Sequence, residues 1–77
     1  MIVSFVPGRL RLRLPELKNQ DLAGELLPQI QAVPGIKTVE IKTLTGSLLI
    51  EYDPSVISTK RLIELGRAIA RRVGIAG

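Results

Sequence analysis

The chain contains no cysteine, no histidine and no tryptophan. Without cysteine there is no disulfide, no thiolate metal site and no thiol nucleophile. Without histidine the other common transition-metal ligand is gone, together with the usual acid–base group near neutral pH. Ser4, Ser47, Ser55 and Ser58 therefore have no imidazole to activate them, and no catalysis is expected. Aromatic residues are nearly as scarce, with Phe5 and Tyr52 the only two. No apolar run approaches the roughly 20 residues needed to cross a bilayer. The segment Met1–Val6 lacks a basic leader region and runs into Pro7-Gly8, so it does not read as a secretory signal, and a cytoplasmic location is expected.

What is present points to a small globular unit. Hydrophobic residues make up 45% of the 77 positions and charged residues 23%, a balance too apolar for disorder. One domain over residues 1–77 is expected. Eleven Lys and Arg against seven Asp and Glu leave a net charge of +4. That excess favours acidic partners such as a carboxylate-rich protein face or nucleic acid.

Arg9-Leu10-Arg11-Leu12-Arg13-Leu14 alternates without a break. A strand puts its leucines on one face and its arginines on the other, whereas a helix would scatter both sets. Ile2–Val6 reads as an extension of this strand, bent at Pro7-Gly8, or as a segment folded back over its edge. Asn19 or Asp21 caps a helix over about residues 20–33 that carries Leu22, Leu26, Leu27, Ile30 and Val33 at helical spacing. Pro28 inside it predicts a kink or a late start. Ile36–Thr43 and Ser47–Tyr52 form a β-hairpin around Thr45-Gly46. Ser58 or Thr59 caps a second helix bearing Leu62, Leu65, Ile69 and Val73, with Gly74 beyond its end.

The order strand, helix, strand, strand, helix predicts an α+β, ferredoxin-like βαββαβ sandwich. Its antiparallel sheet carries both helices on one face, and its fourth strand is short or absent because only Ile75-Ala76-Gly77 remain. The first strand is central, so its leucines meet the helices and its arginines face outward. An edge left open by a missing fourth strand would invite dimerisation or strand addition. A longer parent chain would also account for the short end.

Val33-Pro34-Gly35-Ile36-Lys37-Thr38-Val39, Thr45-Gly46-Ser47 and Ile50-Glu51-Tyr52-Asp53-Pro54, followed by the helix from Thr59, together resemble a heavy-metal-associated (HMA) domain over about residues 22–70. Such domains carry copper or zinc as chaperones or as modules of metal-transporting P-type ATPases. They bind the ion through a Met-x-Cys-x-x-Cys loop after the first strand. The corresponding positions here are about Leu17, Asn19 and Leu22, which supply no thiolate for a soft ion. Pro7-Gly8-Arg9-Leu10-Arg11-Leu12-Arg13 resembles the opening strand of a divergent, cysteine-free HMA branch found in small bacterial proteins and ahead of P-type ATPases. The resemblance implies a non-catalytic docking or regulatory module in bacterial transition-metal handling, with no cofactor of its own.

Arg9, Arg11 and Arg13 are the candidate binding residues. They either pair with Glu40 or Glu51 as a solvated face, or form a docking surface for carboxylates, phosphate or a haem propionate. Arg71 and Arg72 form a second basic patch. The partner expected is an acidic protein surface, a metal-transporting P-type ATPase or a second copy of the chain. Two alternatives are a direct carrier of haem, iron or another hard ion, and a nucleic-acid-binding domain. Asp53, Glu51, Glu16 and Asp21 are available hard ligands but show no ligand spacing. The amides at Ser58–Arg61 could hold an anion, although capping explains Ser58 and Thr59 as well. An RNA-binding sheet stacks bases on aromatics, and this sequence has almost none.

Overall fold

The structure is a computed structural model that describes residues 2–72 and 74. The strands are β1 (Ile2–Val6), β2 (Arg9–Arg13), β3 (Ile36–Lys42) and β4 (Ser47–Tyr52), and the long helices are α1 (Gln20–Gln31) and α2 (Thr59–Arg72). The four strands form one antiparallel sheet in the order β1-β2-β4-β3. This is the α+β, ferredoxin-like arrangement, with β2 in the interior of the sheet.

The residues before Pro7 are a strand of their own. Val6 pairs with Arg9 and Phe5 with Leu10, so β1 folds back along the outer edge of β2 and does not extend it. Pro7 presets the turn, and Gly8 takes φ +90°, which the second central position of such a turn requires. The edge that the expected topology left open is therefore covered from the N-terminal side, in the place of a closing fourth strand. The expected place of Val73 in the α2 stripe and the expected stub strand at Ile75–Gly77 lie outside the described residues.

Strand β2 ends where Pro15 starts a single 3₁₀ turn, Pro15–Lys18, which sequence reading did not anticipate. The Leu14 N–H continues the pairing with the β4 side of the sheet, donating to the Gly46 carbonyl at 2.8 Å. Asn19, not Asp21, caps α1, its Oδ1 accepting from the N–H groups of Asp21 (2.9 Å) and Leu22 (3.3 Å). Helix α1 is continuous from Gln20 to Gln31 with Pro28 inside it, so it does not start late. The carbonyl deprived of a donor belongs to Gly24, which is exposed. Helix α2 starts as expected: the Ser58 hydroxyl accepts from the Arg61 N–H at 3.1 Å.

The core lies between the sheet and the helices. Leu10, Leu48, Ile50 and Tyr52 from the strands meet Leu26 and Ile30 of α1, with Leu62 and Ile69 of α2 closing the layer. Leu17, from the 3₁₀ turn, and Ile57, from the loop before α2, complete it. The Tyr52 ring is buried and its hydroxyl shares a hydrogen bond with Thr59 at the start of α2. That bond ties the end of the central hairpin to the second helix.

The loop at residues 53–55 has a measurable electrostatic signature. Asp53 Oδ1 accepts from the Ser55 hydroxyl (2.6 Å) and the Ser55 N–H (2.9 Å). These bonds, in that order, hold its carboxyl below the ordinary aspartate value, and nearby Lys37 adds a smaller pull. The folded carboxyl thus gives up its proton more readily than the unfolded one. Its contribution to stability is complete above the unfolded value near about 4 and is lost as pH falls through the lower folded value. Asp53→Asn is expected to flatten the acid limb of the urea-midpoint profile. An unchanged slope below about pH 4 would show that the Ser55 contacts do not form in solution.

Candidate functional site

The candidate site is the sheet face opposite the helices, and strand register builds it. Residues directly opposite on neighbouring antiparallel strands point to the same side. One row across the sheet is therefore Val6, Arg9, Glu51 and Thr38; the next is Ser4, Arg11, Leu49 and Glu40; a third is Arg13, Ser47 and Lys42. The complementary rows, Phe5-Leu10-Ile50-Val39 and Leu12-Leu48-Ile41, face the helices.

Arg9, Arg11 and Arg13 are all exposed, whereas Leu10 is only 1% exposed and Leu12 is half-buried. The alternation thus divides the sheet as the pattern predicts. Arg9, Arg11, Lys42 and Glu40 stand around a shallow depression of about 130 Å³, with Leu49 and Ser47 completing its lining. Arg13 lies one step further along the same face. Lys42 and Leu49 were not among the residues singled out from sequence, whereas Glu40 was named there as a possible partner of the arginines. Only the pairing of β4 between β2 and β3 brings them beside the arginines, although the hairpin register around Thr45-Gly46 could have located them.

The charge on this face is only partly compensated within it. Glu51 lies opposite Arg9, yet its Oε1 accepts from the Thr38 hydroxyl at 2.9 Å. The guanidinium groups of Arg9 and Arg11 have neither a hydrogen bond nor an ion pair with any described residue. Arginines at alternate strand positions stand about 7 Å apart. That spacing suits a series of carboxylates, each held bidentately by one planar fork.

The second basic patch is elsewhere. Arg71 and Arg72 occupy the last turn of α2, in the helical layer, where their charge complements the helix dipole. The sheet separates them from Arg9 and Arg11, so the two patches do not form one surface. Neither aromatic residue reaches the open face: Tyr52 is in the core, and Phe5 points to the helical side.

The three loop positions have structural duties. Leu17 is completely buried, Asn19 caps α1 with its side chain, and Leu22 is half-buried against the core. An alkyl group sealed in the core, an amide engaged by backbone N–H groups and a second alkyl group offer no soft donor. Among the described residues, no group of three or more Asp, Glu, His or Cys side chains could hold a metal ion. No described helix is long and apolar enough to cross a membrane.

An α+β ferredoxin-like module with a basic open sheet defines the class. The chain belongs to the family described as heavy metal associated domain 2 (HMA_2), whose model matches residues 1–74. No curated protein and no solved structure matches the chain. The residues present do not fit the soft-metal chemistry that the family's description implies.

Proposed function

We propose that this HMA-type module acts in bacterial transition-metal handling as a non-catalytic docking or regulatory domain that binds an acidic protein surface through its open sheet. The observation that carries the reading is the pair of guanidinium groups, Arg9 and Arg11, that have no partner among the described residues and stand beside a depression on the open sheet face. Like charges side by side on a strand repel, so a face meant only for water would be better served by neutral residues. A partner's carboxylates at matching spacing convert that repulsion into attraction. Candidate partners are the cytoplasmic face of a metal-transporting P-type ATPase and a second copy of the chain. The metal itself would be held by the partner, not by this domain.

A fluorescent peptide with glutamates at alternate positions is the direct probe. It should bind saturably and weaken as salt rises, because the attraction is between partly exposed charges. Equal affinity for a scrambled neutral peptide would contradict the reading. Carriage of a hard ion or haem is separated from docking by titration with ferrous iron and haem, followed by absorbance and native mass spectrometry. No stoichiometric adduct is expected with either, and a one-to-one adduct would replace docking with carriage. The bare open face also lacks a stacking surface for bases among the described residues, which disfavours single-stranded nucleic acid.

A further inference from the structure

On the other side of the sheet, the margin of α2 leaves an open groove above the core. The groove, of about 510 Å³, lies between β2 and α2, its accessible walls formed by Leu12 on one side and by Ile63, Leu65 and Ala70 of α2 on the other, with the buried core at its floor. That volume falls within the range of small-molecule sites and is large for a domain of this size. Its walls are aliphatic, but Arg67 and Arg71 also line it. These two arginines are one helical turn apart on α2, so they present neighbouring positive charges. Neither guanidinium has a hydrogen bond or ion pair with a described residue.

Gly66 adds an independent observation. It sits in the interior of α2, where glycine is a poorer helix former than alanine, and it lines the same groove. A Cβ built there would meet nothing within 4 Å, and φ is not in the left-handed region. Neither close packing nor backbone conformation therefore requires glycine. A side chain placed there would project into open space beside the groove.

We infer that this groove binds a long-chain monocarboxylic acid, with the alkyl chain laid between Leu12 of β2 and Ile63, Leu65 and Ala70 of α2 and the carboxylate held by Arg67 and Arg71. The charge of the lining selects the occupant: apolar walls accept the chain, and paired guanidinium groups favour an anionic head over a neutral or cationic one. The site uses none of the open-face residues, so it stands or falls apart from the docking reading.

The test is calorimetric titration of the whole chain with octanoate, dodecanoate and dodecyltrimethylammonium below their micelle concentrations. One saturable site is expected for dodecanoate, tightening by about fourfold per methylene from octanoate. The cationic analogue should bind at least about tenfold more weakly. Gly66→Leu should fill the space, abolish dodecanoate binding and raise the melting temperature. Arg67→Glu combined with Arg71→Glu should keep the fold and weaken dodecanoate at least about tenfold, so the outcome does not rest on one variant folding. Absence of saturation, equal binding of the cationic analogue, or unchanged binding by either variant would overturn the inference. So would a dimer in sedimentation that Gly66→Leu dissociates, because a second copy would then be the occupant.

Discussion

Arg11→Glu is expected to fold as the parent chain does and to bind the alternating-glutamate peptide at least about tenfold more weakly, a loss of about 1.4 kcal/mol or more. Arg11 is exposed, stands between Arg9 and Arg13 on its strand, and faces the aliphatic Leu49 across the ladder. Reversing its charge relieves repulsion from both flanking arginines and adds some from Glu40, so stability should stay within about 0.5 kcal/mol of the parent. The binding loss has a different origin. The substitution takes the net charge from +4 to +2 and puts a carboxylate where the ligand's carboxylates must approach. Association should slow more than dissociation quickens, and the difference between the two proteins should shrink as salt rises. Arg11→Lys should fall between them, because an ammonium keeps the charge but lacks the two-pronged geometry. Equal dissociation constants for the parent and Arg11→Glu at low salt would dismiss the open sheet as the docking face.

Leu17→Ala should be the most damaging substitution for the fold. Leu17 is 0% exposed and belongs to the continuous core although it lies in a short 3₁₀ turn. Truncating a leucine at such a position costs about 2–5 kcal/mol. A domain of this length has a total stability of roughly 4–12 kcal/mol, so the loss is a large share of it. A melting temperature lower by roughly 10–20 °C, or no folded state at all, is expected. Leu17→Met conserves volume and should cost less than about 1.5 kcal/mol. A shift below about 3 °C for Leu17→Ala would mean that the loop is open in solution and that its side chains are available for other work.

The parts of the fold that were legible are those governed by strict periodicity. Arg9–Leu14 alternates for six residues, and only an extended chain sorts leucine from arginine in that way. The hairpin followed from Gly46, which takes φ +69° and whose added Cβ would lie 2.5 Å from the Leu14 carbonyl oxygen. Residues whose placement depends on distant pairing were harder to locate. Ile2–Val6 reads equally well as an extension of β2 or as its neighbour, since a Pro-Gly turn and a Pro-Gly bend differ only in what the chain meets next. Leu17 and Ile57 lie in irregular segments with no period to show that they are buried. The site was half legible for the same reason. A strand pattern gives the face of each arginine, but Lys42, Glu40 and Leu49 join them only through the ladders of β4. The groove beside α2 depends on how far a helix stands from a sheet, which no residue pattern expresses.

The central claim is that β2 turns its arginines to an open face that receives carboxylates while its leucines close the core. The most direct measurement is a two-dimensional NMR titration of the isotope-labelled chain with the alternating-glutamate peptide, following backbone amides and arginine Nε–H groups together. The account predicts progressive shifts at Arg9 and Arg11, at Leu49 of β4 and at Glu40 and Lys42 of β3, with the core amides of α1 unmoved. Shifts confined to Arg71 and Arg72 at the end of α2, with the open sheet silent, would contradict it.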